Sequence, residues 1–280
     1  MNLSSAYRQG CRQKMVKLLM SENDEKYAPM LEHLDELRTR LIRCALALLL
    51  GMVICFAFFQ EPLADIIMGP FRVLDGLQNN MVDRNMVYTT FAEGFLFYLK
   101  ISLLGGCVLA SPVIIWQIMR FVLPALYKNE KKVFFTMTFF GVVLFVGGVC
   151  FGYFLVLRPV METLIRLAGE ELTPMITASS YLSFVLGFLI PFGLVFEIPM
   201  VVYFLTLVGI INPSMLTKNR KYVLLVVLVL AAMLTPPDIV SQLCLAAPMM
   251  LLYEIGIQIS RFVYKRKQKK EAKEAKRNKA

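Results

Sequence analysis

The decapeptide Phe121–Glu130, FVLPALYKNE, lies between two long apolar runs, about Phe91–Met119 before it and Val133–Leu157 after it. It holds an aromatic, a proline, a Tyr-Lys pair and one acid, Glu130. Arg120, Lys128, Lys131 and Lys132 lie in or beside it, and short positive loops resist translocation. The loop is therefore expected on the cytoplasmic side of a membrane, with Glu130 displayed there. Glu36 occupies a comparable place, at the entry to the first apolar run. The two carboxylates are read as a docking site that the apolar segments position.

The rest of the composition agrees with a membrane setting. Of 280 residues, 58% are hydrophobic, against about 45–50% in a soluble domain. No cleavable signal peptide is expected, because the first apolar block starts near Leu41 with no small-residue cleavage site after it. The six cysteines, Cys11, Cys44, Cys55, Cys107, Cys150 and Cys244, form no CxxC and read as small buried hydrophobes. With His33 the lone histidine, no ligand set for zinc, haem or iron–sulfur is expected. The net charge of +10 points to orientation in a bilayer rather than to nucleic acid, because the basic residues crowd short loops and a tail.

Taken in order, residues 1–28 read as a polar, basic extension, 29–260 as a membrane domain and 261–280 as a basic cytoplasmic tail. Pro29–Arg43 has Met30, Leu34, Leu37 and Leu41 at helical spacing. Six spans are expected, at about Leu41–Phe59, Phe91–Met119, Val133–Leu157, Tyr181–Val208, Tyr222–Leu234 and Ile239–Ile259. The last two are short for a layer that asks for roughly 20 residues. Gln60–Thr90 is expected to face outward as a partly ordered cap, and Arg158–Ser179 to face outward as well. Pro112 predicts tilt or a kink in the second span, and Pro191, Glu197 and Pro199 interrupt the fourth. Gly147, Gly148 and Gly152 are expected to allow close packing of the third. On this topology the outward segments hold only Arg72, Arg84, Arg158 and Arg166, and Lys100 lies within a span. All other Lys and Arg face inward, which places both termini in the cytoplasm.

Glu36 and Glu130 are suited to bidentate hydrogen bonds from guanidinium groups. Spacing alone leaves ordinary ion pairs with neighbours such as Arg38 and Arg40 the commoner reading. Glu197 is deep in a span, where an acid faces a cavity or a partner, or is satisfied by neighbouring hydroxyls. Lys100 is placed to snorkel. Asp238 is placed to cap the helix starting at Ile239, and Gln242 to bond across helices. No phosphate loop, serine-nucleophile motif or metal spacing is present, so no enzyme activity and no cofactor are expected.

The motifs HLDELRTRL (His33–Leu41), SPVIIWQ (Ser111–Gln117), FVLPALYKNE (Phe121–Glu130), SYLSFV (Ser180–Val185), FEIPM (Phe196–Met200), KNRKYVL (Lys218–Leu224) and LTPPDIVSQ (Leu234–Gln242) occur in this order. Over about Met30–Val263 the chain resembles TatC, the receptor subunit of the twin-arginine protein translocase. The resemblance implies an all-α integral membrane protein with six transmembrane helices, the last two short, in a concave, glove-like bundle. It implies signal-peptide binding by Glu36, Glu130, Arg38, Phe121 and Pro124. It assigns Glu197, Asp238, Gln242 and Pro112 to intramembrane or partner-binding roles. Asp35, beside Glu36, departs from the pattern by adding a negative charge. The implied partners are TatA- and TatB-type single-span subunits, twin-arginine signal peptides of folded precursors, the lipid bilayer and further copies of the chain. The implied work is Sec-independent export driven by the proton-motive force, in a bacterial cytoplasmic (inner) membrane. The runner-up is a proton-coupled secondary transporter of a small solute that uses Glu197, and a membrane enzyme or redox subunit is a weaker third.

Overall fold

A computed structural model describes residues 34–77, 90–122, 131–167, 176–234 and 239–277, and these are almost entirely helical. Helix α1 (residues 34–54) passes through a π-helical turn, Cys55–Phe59, straight into α2, Gln60–Leu77. Helix α3 is Phe91–Val122. Helix α4, Lys131–Phe151, runs through a second π-helical turn, Gly152–Leu157, into α5, Arg158–Leu167. Helices α6 (Ala178–Phe196) and α7 (Ile198–Val208) meet at Glu197. A short α8 (Pro213–Lys218), α9 (Arg220–Leu234) and the long α10 (Ile239–Arg277) complete the order.

Among the described residues, five stretches are long and apolar enough to cross a bilayer: Leu34–Arg72, Phe91–Phe121, Phe134–Leu167, Ala178–Val208 and Gln242–Lys269. The 15 residues of α9 rise about 22 Å, less than the roughly 30 Å hydrocarbon layer. The expected all-helical membrane architecture is therefore present, but several limits move. The first span does not end at Phe59. Its helix continues to Leu77, because the start of the expected cap buries Ile67 and Phe71 on one face, and extending an existing helix requires no new nucleus. The third span likewise continues into α5, where Val160 and Met161 are buried and Arg158 Nε donates to Glu162 Oε1 at 2.9 Å. The apolar part of the last span ends near Ile259, yet its helix runs on through the basic tail to Arg277. Pro112 and Pro191 both lie inside continuous helices. Only Glu197 and Pro199 mark an interruption, with Pro199 in the first turn of α7, where a proline is tolerated.

A core of Ile101, Leu157, Leu182, Phe188, Phe192 and Met249 joins α3, the second π-helical turn, α6 and α10. Many large apolar side chains elsewhere face outward, among them Leu41, Phe58, Phe139, Phe154 and Met233, as a lipid-facing surface requires. Cys150 and Cys244 are also exposed, so these two are outward-facing residues of apolar helices rather than the buried ones expected. The two π-helical turns border one apolar cavity of about 380 Å3, through Cys55 and Phe59 on one wall and Tyr153 and Phe154 on the other.

Close helix contact depends on glycines that spacing only partly identified. At Gly148 an added Cβ would stand 2.7 Å from the Phe192 carbonyl oxygen, and at Gly152 it would stand 3.2 Å from the Phe192 side chain. At Gly147 it would meet nothing within 4 Å. An equally close crossing joins α1 and α3, where a Cβ on Gly106 would come within 2.7 Å of the Met52 backbone nitrogen and one on Gly51 within 2.9 Å of the Gly106 oxygen. Only 11% of the apolar window of α1 is buried, against 44% for α3, so α1 relies on this narrow seam. Gly106→Ala is expected to destabilise the protein by about 1–3 kcal/mol in denaturant unfolding from detergent micelles. Gly147→Ala is expected to be neutral or stabilising by up to about 1 kcal/mol; equal losses at both sites would contradict the seam.

Candidate functional site

Helix periodicity assembles one site at the end of the bundle where α1 begins. At about 100° per residue, Glu36, Arg40 and Arg43 share a face of α1. They line a recess of about 500 Å3 together with Asp35, Thr39 and, from the end of α3, Arg120. Phe121 follows Arg120 and is half-buried. Trp116, one turn earlier on α3, packs edge-on against Phe134 and Phe135 of α4 with ring centroids 4.7 and 5.3 Å away. That contact ties together the two helices flanking the decapeptide.

The electrostatics of the recess are mixed. Arg40 Nε donates to Glu36 Oε1 at 3.1 Å, and Arg40 Nη2 donates to the same oxygen. Arg40 Nη1 also lies 3.5 Å from Gln117 Oε1 of α3. The Arg40 side chain is 12% exposed and that of Glu36 is 41% exposed. Arg38 is exposed and is not part of the recess lining, because two residues of helix carry it to the far side of α1 from Glu36. Glu130 and Pro124 lie outside the described residues, as does Asp238. Pro112 is on an exposed face of α3.

The other candidates lie apart from the recess. Glu197 sits half-buried at the junction of α6 and α7, and its Oε1 is buried without a hydrogen-bond partner among the described residues. Its backbone N–H donates to Leu194 O at 3.1 Å. Gln242 Nε2 donates to Leu228 O of α9 at 3.0 Å, a bond across helices as its position suggested.

Sequence reasoning missed a second polar cluster. Lys100 does not simply snorkel: its ammonium donates to Ser179 Oγ at 3.0 Å and Ser183 Oγ at 2.8 Å. The neighbouring Glu93 is buried, and its Oε1 accepts from Ser179 N at 3.3 Å at the start of α6, where a helix terminus favours an anion. The signal was the pair of serines one turn apart in ASSYLS. Arg40 and Gln117 were legible in the same way, as positions i+4 from Glu36 and one turn from Phe121.

These features define a class, that of polytopic membrane proteins with an ionic recess at one rim and, at a break in a span, an acid with one oxygen unpaired among the described residues. The chain matches the family described as Sec-independent protein translocase protein (TatC) over residues 32–248. It is 42% identical to the Sec-independent protein translocase protein TatC of Carboxydothermus hydrogenoformans over 241 residues, covering 86% of this chain and 96% of that one. The Escherichia coli (strain K12) TatC is 34% identical over 238 residues, covering 85% and 90%. A crystal structure of the twin arginine translocase receptor TatC superposes with a TM-score of 0.73 at 36% identity, covering 81% of this chain and 99% of that one. The chain belongs to the TatC family and is a subunit of the Sec-independent, twin-arginine protein translocase. Family membership favours protein translocation over the small-solute carrier that an intramembrane acid alone would also allow.

The Lys100 cluster yields a stability test independent of translocation. Ser179→Ala with Ser183→Ala strands a cation between α3 and α6 and is expected to destabilise by about 1–3 kcal/mol. Adding Lys100→Met is expected to restore most of the loss in the same unfolding assay, because removing both partners is far milder than orphaning one.

Proposed function

We propose that this chain is the signal-peptide receptor of its translocase and that the recess at Glu36 is half of the docking site. Glu36 receives one guanidinium of a twin-arginine pair, and Glu130, immediately before α4, receives the other. Phe121 and Pro124 shape the loop between them, and Arg38 completes the rim from the outer side of α1. The observation that carries this reading is a carboxylate standing half-exposed in an open recess and already engaged with a guanidinium, that of Arg40. Geometry that accepts one arginine can accept another.

The wider arrangement follows from this placement. The five long apolar stretches and the shorter α9 form six spans, with both termini in the cytoplasm of a bacterium and the recess at the inner face of its cytoplasmic membrane. The basic end of α10 is the cytoplasmic tail, where its charges meet anionic headgroups. The shortness of α9 thins the bilayer beside it. Glu197, with its unpaired oxygen, and Gln242 recruit the polar groups of TatA- and TatB-type single-span subunits, with Asp238 capping the start of α10 and Pro112 shaping the adjacent α3 surface. Several copies of the chain work together, and the proton-motive force drives passage of the folded cargo.

Site-specific photocrosslinking from position 121 to a twin-arginine precursor tests the receptor role. Glu36→Ala with Glu130→Ala is expected to abolish the crosslink while membrane insertion persists. An undiminished crosslink in the inserted double variant would remove the docking proposal.

A further inference from the structure

The recess at Glu36 is not an acidic pocket awaiting a cation. Three arginines, Arg40, Arg43 and Arg120, line it against two acids, Asp35 and Glu36. The carboxylate expected to meet the cargo is already bound by one of them, through two donors on a single oxygen. The arginine concerned is the most sheltered part of the pair, at 12% exposure against 41% for Glu36. Its third contact, to Gln117, reaches across to α3. Arg40 is thus held from beneath while Glu36 faces the recess opening.

We propose that Arg40 is a resident competitor for the cargo guanidinium, an internal ligand that sets the affinity threshold of the receptor; this rests on the docking role of Glu36 proposed above. An incoming arginine does not find an unclaimed carboxylate. It exchanges with Arg40, which retains Gln117 as a neighbour when it yields Glu36. A receptor that opens only a fraction of the time binds every ligand more weakly by that same fraction. Weak cationic ligands then fall below useful occupancy, while a paired-arginine peptide stays above it. Arg43, by contrast, lines the same recess without a hydrogen bond or ion pair to Glu36 among the described residues.

The proposal differs from a positioning role, in which Arg40 orients Glu36 for the cargo. A positioning residue lowers affinity when removed, whereas a competitor raises it. The competition is also internal to the receptor, so it affects all ligands of Glu36 by one factor. The ratio between an arginine peptide and a lysine peptide is therefore unchanged.

The test uses the full chain in lipid nanodiscs and two fluorescent synthetic signal peptides, identical except for Arg-Arg or Lys-Lys. Arg40→Gln is expected to tighten both by about fivefold with their ratio intact. Arg40→Lys, which keeps the charge but not the forked donors, is expected to give a smaller gain, and it serves as the readout if the glutamine variant does not fold. Arg43→Gln removes the same charge from the recess and is expected to gain less than Arg40→Gln. In a Glu36→Gln background the Arg40→Gln gain is expected to vanish. Unchanged or weaker binding in both Arg40 variants, while Glu36→Gln still weakens binding, overturns the competitor and leaves the docking role standing. An equal gain from Arg43→Gln overturns it in favour of a general field effect. Undiminished binding by Glu36→Gln alone removes the docking role, and the competitor with it.

Discussion

A backbone in hydrocarbon has no water to bond to, so every N–H and C=O within the layer must be satisfied inside the protein. This constraint explains why the helices of α1, α4 and α10 carry on past the limits that their apolar content suggests. Stopping a helix exposes unpaired groups, so a helix ends where loops and water can take over. It also explains the manner of the break in the fourth span. At Glu197 the ladder is interrupted and Pro199 supplies no donor, yet the interruption is enclosed. Pro199 and Met200 are buried, and Gly256 of α10 lies close enough that an added Cβ would stand 3.7 Å from Pro199 Cα. Non-helical backbone at membrane depth is tolerated when protein covers it, and α10 provides that cover.

Side chains obey the same rule. Tyr181 donates to Ile67 O at 2.7 Å and Tyr253 to Leu216 O at 2.9 Å. Thr206 and Ser260, both buried, share a hydrogen bond of 2.7 Å that fastens α10 to α7. Lys100 is held by two hydroxyls. Against this background of satisfied polar groups, the unpaired Glu197 oxygen stands out among the described residues. That oxygen lies where the fourth span is also broken, and the proposed partner contact is drawn from that coincidence.

The architecture was legible in the sequence because a bilayer imposes length and polarity on each segment directly. The motif order from His33 to Gln242 was legible because each motif is contiguous in the chain. What was not legible depended on which face of one helix meets which face of another. Gly51 and Gly106 are far apart in the chain, and nothing local marks them as a crossing, whereas the Gly147-Gly148 pair looked like a seam and only Gly148 is one. The recess shows the same thing. Arg38 is nearest Glu36 in sequence among the arginines, but the helix turns it to the other side of α1, and it is Arg40 that pairs with Glu36. Residue counting finds candidates, and the 3.6-residue period then decides between them.

The burial of the Glu36–Arg40 pair also bears on the reversibility of the docking proposed at this rim. A fully buried ion pair resists exchange, since removing one partner leaves a desolvated charge. A fully exposed pair is worth too little to discriminate among cations. Here the two halves differ: the guanidinium is sheltered between α1 and α3, and the carboxylate is open to the recess. The Arg220–Glu254 pair that joins α9 to α10 lacks this asymmetry, with both side chains comparably exposed at 45% and 41%. In an asymmetric pair the open partner can change ligand while the sheltered one keeps a neighbour, so exchange never requires a bare charge in a dry environment. Such a carboxylate can be strong enough to select a guanidinium and still release it when the cargo moves on.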